Sequence, residues 1–186
     1  MATRNLTNWD DPIFRKKSRV VERIDERLWM LLDDMRETLE KVDGYGCAAV
    51  HVGVMKRVVV VLDEGGLIEL VNPVIVESSA ETQEVLEGSI APGAPRGYVI
   101  RPQSVTVEAF DRDGGPVSIS GSGFLAATLC HEIDHLDGIM FADKISRFAD
   151  IIVGSVARSL NKNKTDNRTF FKALENKIAQ IYDFEP

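Results

Sequence analysis

The sequence predicts a single α+β domain, and three observations carry that reading. Residues 24–42 place apolar side chains at three- and four-residue steps, the period of a helix. Several stretches between residues 57 and 119 are β-branched or alternate with period two, and turn residues separate them. A second helical stretch, small and apolar on nearly all sides, begins at residue 124. Turns as short as "EGG" pair strands antiparallel, since a parallel crossover needs about a dozen residues or more. The expected architecture is therefore short antiparallel strands packed on a central helix.

Taken in order, Ile24, Leu28, Leu31, Met35, Leu39 and Val42 form one face of the first helix. "DGYG" (43–46) ends it, because glycine permits a tight turn there. "RVVVVLD" (57–63) reads as a strand, and "LIELVNPVIV" (67–76) as its returning partner. "VTVEAF" (105–110) alternates, and "DRDGGP" turns the chain before "VSIS". Ser120 or Ser122 can cap the next helix, and Gly138 suits its exit. Residues 148–160 and 167–182 read as two further helices, a C-terminal extension from about 146 split by "NKNKTDN". With no repeat or interdomain linker, residues 1–186 are expected to form one domain.

Bulk properties exclude several function classes. The chain is 44% hydrophobic and 27% charged, an ordinary globular balance. Its net charge is −7 and its pI about 5.0, which argues against nucleic acid or an anionic membrane as the main partner. The basic cluster "RKKSR" (15–19) is short and interrupted, as in a solvated turn. No apolar run approaches the ~18 residues that span a bilayer, and "MATRNLTNWDDP" lacks the apolar core of a secretory signal. Two cysteines, Cys47 and Cys130, imply no disulfide framework, so the expected compartment is the cytoplasm.

The chemistry concentrates in "CHEIDHLDG" (130–138). Helical residues four apart lie one above the other, so His131 and His135 can clasp one divalent ion. Glu132, beside the first of them, can take a proton from a water on that ion. Only three histidines occur in the chain, and two stand at this spacing on an otherwise apolar helix. Burying two imidazoles and two carboxylates there without partners would be costly. A third ligand at the histidine position of H-E-x-x-H-x-x-G-x-x-H is excluded, because that position is Phe141.

The chain resembles the peptide deformylases. That family carries G-φ-G-φ-A-A-x-Q, E-G-C-φ-S and H-E-x-D-H in order; here they read "GYGCAAVH" (44–51), "EGSIA" (87–91) and "HEIDH" (131–135). The flanks "DPIFRKKS", "LVNPVIV", "YVIRP" with Arg101, and "EAFDRDGGPVSISGSGFLA" are also similar to the family. The resemblance implies removal of formyl from N-formylmethionine on nascent chains. It implies a divalent metal such as Fe2+, Zn2+ or Ni2+ on His131, His135 and the residue at position 89. Glu132 would be the general base, and the backbone N–H of Ile90 would stabilise the oxyanion. Gly46, Tyr45 and Arg101 would lie along the substrate.

Three positions depart from the pattern. The family's cysteine ligand is Ser89, its glutamine is His51, and its following serine is Ala91. A serine hydroxyl ionises far less readily than a thiol and is a poor ligand for iron or zinc, so the metal is expected to be weakly bound. His51 can complete the ligand set, donate to the oxyanion in place of the glutamine, or mark a site whose activity is lost. Asp134 can pair with Arg101 or hold a ligand histidine. Cys130 is expected to be a small buried hydrophobe, and Cys47 a weak ligand candidate. The reading is a deformylase-like metallohydrolase; its alternative is a non-catalytic relative that binds peptide N-termini or a partner, and the oligomeric state is left open.

Overall fold

The computed structural model describes residues 3–148. Helix α1 (Glu26–Lys41) starts where the Asp25 carboxylate accepts the Leu28 amide at 3.2 Å. It buries Leu28, Leu31, Leu32, Met35 and Leu39, the helical-period positions, whereas Val42 lies just past its end and is 38% exposed. Strand β1 (Gly46–Ala48) follows, then a single 3-10 turn at Ala49–Val52 that carries His51.

Strands β2 (Val58–Asp63) and β3 (Gly66–Ser78) form the expected hairpin, in register from Val58 opposite Val71 to Asp63 opposite Gly66. The run Val58 to Val61 is wholly buried because both faces of this sheet are covered. Val59 and Val61 pack with Leu129 and Ile133 on one side, Val58 and Val60 with Leu32 and Met35 on the other. Alternation of side chains across a strand converts one valine run into two cores.

Next come β4 (Thr82–Glu87), β5 (Gly97–Pro102), β6 (Ser104–Phe110) and β7 (Pro116–Ser122). Helix α2 (Gly123–Leu136) and β8 (Ile145–Phe148) complete the described chain. Five strands form one antiparallel sheet in the order β1-β2-β3-β6-β7; β4, β5 and β8 form a second. The fold is α+β, as expected.

Helix α2 is buried along most of its length, from Ala126 to Leu136. Ser122 stands at its N-terminus, but without a side-chain capping bond. At its exit Gly138 has φ +75°, and a Cβ there would meet the Arg15 carbonyl oxygen at 2.8 Å. Position 138 thus needs glycine for both its left-handed backbone and the passing chain. The extension expected from about residue 146 begins within β8, which pairs with β5; the two helices expected at 148–160 and 167–182 lie outside the described residues.

Candidate active site

Four segments converge on α2. One turn of helix separates His131 from His135, and their Nε2 atoms face each other at 3.1 Å. Glu87, at the end of β4, accepts from His131 Nδ1 at 2.8 Å. That bond places the His131 proton on Nδ1 and leaves its Nε2 lone pair free. Arg101, on β5, holds Glu87 through both carboxylate oxygens at 2.7 and 3.0 Å, and Asp134 at 2.6 Å. Burial opposes ionisation of Glu87, but the bonds from His131 and Arg101 win and hold its pKa at about 2. Lys144 closes the chain of charges on Asp134 at 2.6 Å.

Glu132 lies beneath β1. A Cβ at position 46 would come within 2.5 Å of its Oε1, so only glycine lets the strand pass this close. Glu132 Oε2 is buried and has no hydrogen-bond partner. Burial, partly offset by His131 and the Ala48 amide, raises its pKa to about 7. A carboxyl poised near neutrality is suited to taking and returning a proton.

His51 is 1% exposed. Phe14 lies against its ring with centroids 5.3 Å apart, and His135 with centroids 4.6 Å apart. Its Nε2 stands 3.0 Å from Ser89 Oγ, and its Nδ1 3.2 Å from the Ala48 carbonyl oxygen. Burial, with the neighbouring His131, pushes its pKa down to about 3, so the ring is neutral at working pH. Burial likewise carries His135 well below the usual range, and its Nδ1 has no partner.

These residues open on a cavity of about 440 Å³, whose walls include Tyr45, Gly46, Ser89, Ile90, His131 and Glu132. Tyr45 sits at its rim, edge-on to Phe124 at 4.8 Å. Arg101, expected along the substrate, is not among the lining residues: its guanidinium is turned inward and consumed by Glu87 and Asp134. Arg96, beside Gly88, supplies the positive charge in the cavity wall. Cys47 and Cys130 are free and buried, and burial pushes both thiols up, which keeps them protonated. Glu87 was given no role in the sequence reading, although it opens "EGSIA" two residues before Ser89.

The histidine pair fits a metal ion. Two nitrogens on one tetrahedral ion at about 2.0–2.1 Å stand roughly 3.3 Å apart, close to the observed 3.1 Å. Both rings are buried, and the Glu87 bond presents the His131 lone pair. Among the described residues no group of three or more His, Cys, Asp or Glu side chains converges as a ligand set.

A buried histidine pair with facing Nε2 atoms beside a buried, high-pKa carboxylate, on the floor of a cleft, defines the site of a metallohydrolase. The polypeptide deformylase family model matches residues 3–150, and the chain belongs to the peptide deformylase family. It is 49% identical to a peptide deformylase of Acetivibrio thermocellus over 150 residues, 81% of this chain and 88% of that one. It is also 49% identical to one of Caldicellulosiruptor bescii, over 80% of this chain and 89% of the other. The crystal structure of a peptide deformylase from Legionella pneumophila superposes with a TM-score of 0.74 at 35% identity, covering 94% of this chain and 98% of that one. A peptide deformylase from Ehrlichia chaffeensis in complex with actinonin gives 0.75 at 33% identity, over 89% and 100%.

Proposed function

We propose that this chain removes the formyl group from N-formylmethionyl peptides, and that nascent chains in the cytoplasm supply them. The unpartnered Glu132 Oε2, buried beside the histidine pair, carries this reading. An oxygen kept bare at a desolvation cost is explained by a proton it must accept during turnover. His131, His135 and Ser89 would hold the divalent ion, Fe2+, Zn2+ or Ni2+, which supplies a Lewis acid and a water ionising near neutrality.

The remaining steps belong to the protein. Glu132 Oε2 takes the proton of the attacking water and passes it to the departing amine. The backbone N–H of Ile90 faces the oxygen on which charge develops. Gly46 lets the peptide backbone lie directly over the carboxylate. Tyr45 and Phe124 shape the cavity rim against the first side chain. Glu87 and Arg101 act at one remove, fixing the tautomer and angle of His131. The retained histidine pair and the raised Glu132 pKa favour this reading over a non-catalytic peptide binder.

Chelator-treated protein, reloaded with Fe2+ under argon or with Ni2+ or Zn2+, should release formate from a formyl-Met tripeptide. Without a thiolate at position 89 it should retain less than one metal per chain after dialysis. Glu132→Gln should lower turnover by about 10²–10⁴-fold, the usual contribution of a general base. Formate release absent with all three metals, or equal in the two proteins, rejects the reading.

A further inference from the structure

Arg96 brings a cation to the cavity wall, and its charge is not spent on the protein. Among the described residues no carboxylate pairs with it, whereas Arg101 on the following strand is consumed by Glu87 and Asp134. The Arg96 side chain lies across Gly88, where a Cβ would stand 3.2 Å from its Cγ and 3.3 Å from its Nε. Gly88 adjoins Ser89, which lines the same cavity beside Ile90 and His131. The backbone on either side leaves the arginine little freedom. Pro95 precedes it with a fixed φ, and Gly97 follows at the start of β5, where a Cβ would meet Ile145 at 2.6 Å. Of the acidic groups in the wall, Glu87 and Glu132 are buried, and Glu87 is already held by His131 and Arg101. Asp43, on the turn before β1, is the exposed one.

We propose that Arg96 selects substrates by a carboxylate carried one or two residues beyond the formyl-methionine, an inference that rests on the deformylase reading of the site. A guanidinium presents a planar fork of N–H donors that takes a carboxylate in two parallel hydrogen bonds, and an exposed, unpaired one on a rigid backbone keeps that fork open. The reach follows from chain geometry. Gly88 is one Cα step, about 3.8 Å, from Ser89, and an extended peptide advances about 3.3 Å per residue. A carboxylate one or two residues past the methionine therefore comes to the wall that Arg96 occupies. The chain carries a net charge of −7, so its overall field repels acidic peptides and a preference for them has to be local. The carboxylate can belong to an Asp or Glu side chain or to the end of a short peptide.

Three probes test this: formyl-Met-Glu-Ser-amide, its Gln counterpart, and formyl-Met-Gln-Ser with a free terminal carboxylate. Each is measured as kcat/KM on the metal-loaded full chain and as affinity for the chelator-treated chain by calorimetry. At low ionic strength a carboxylate should gain about three- to tenfold over the Gln amide in both measurements, and the gain should shrink in high salt. A gain for the Glu peptide assigns the side chain, and a gain for the free acid alone assigns the peptide end. Arg96→Gln should bring the ratio to about one, and Arg96→Glu should invert it. Arg96→Lys, which keeps the charge without the fork, should retain part of it. Far-ultraviolet circular dichroism checks the fold of the variants. No gain from either carboxylate, or the same ratio in wild type and Arg96→Gln, overturns the proposal. Formate release from the Gln peptide is a separate readout: its absence with a preserved affinity ratio rejects the deformylase reading and leaves the carboxylate selection standing.

Discussion

Glu132 is buried at the expense of stability, and Glu132→Gln should expose the cost. Burial raises the carboxyl from its ordinary 4.5 to about 7, so the unfolded chain ionises first as pH rises. Below about pH 4.5 both states are protonated and the group contributes nothing. Between about pH 4.5 and 7 only the unfolded state gains from ionisation, so stability falls with rising pH; above the folded pKa the loss is complete. At about 1.4 kcal/mol per pH unit of separation, the metal-free fold gives up roughly 3 kcal/mol on the alkaline side. Glutamine cannot ionise and is nearly isosteric. In chelator-treated proteins the stability difference between variant and wild type should therefore be close to nil in acid. It should grow to roughly 3 kcal/mol by about pH 8, a rise in Tm on the order of 6–12 °C for a chain of this size. Urea unfolding followed by circular dichroism across this pH range measures it, and the titrations of His51 and His135, common to both proteins, cancel in the difference. Parallel stability curves would mean that Glu132 is not held in an environment hostile to its charge.

Three further perturbations test other parts of the site. Glu87→Gln removes the charged acceptor of His131 Nδ1 and should weaken metal binding by about 10–100-fold, read by titration of Zn2+ against a chromophoric chelator; unchanged affinity would remove Glu87 from the metal's support. Gly46→Ala drives a methyl group to within 2.5 Å of Glu132 Oε1, so turnover should fall by at least about 10²-fold while metal content stays the same; an active variant would show that β1 yields instead. Phe14→Ala empties a fully buried site against His51 and His135, and should cost about 3–5 kcal/mol in chemical denaturation.

The helices and the central hairpin were legible because their signals are local. Leucines at helical steps bury one side of α1, and the valine run of β2 reads as a strand, although that both its faces are covered emerged only from the structure. The hairpin register follows from its tight turn. Strands β4 and β5 were not read. "TQEVLE" and "GYVIRP" alternate weakly, and their pairing with each other and with β8 is a tertiary matter. Arg101 shows the same limit. An arginine beside a cleft motif reads as a substrate contact; its pairing with Asp134 was one of the sequence expectations, but only packing shows the guanidinium spent on Glu87 as well.

By itself the sequence determined the α+β class and the His131–Glu132–His135 cluster, because the pitch of a helix sets which side chains share a face whatever surrounds it. Its three ordered motifs carried the resemblance to the family. Only the tertiary structure decided that Glu87 holds His131, that β1 presses on Glu132, and that His51 meets Ser89 rather than standing apart from it. Those contacts join residues on separate segments, and their orientation and pKa values depend on burial and on neighbours that no local periodicity records.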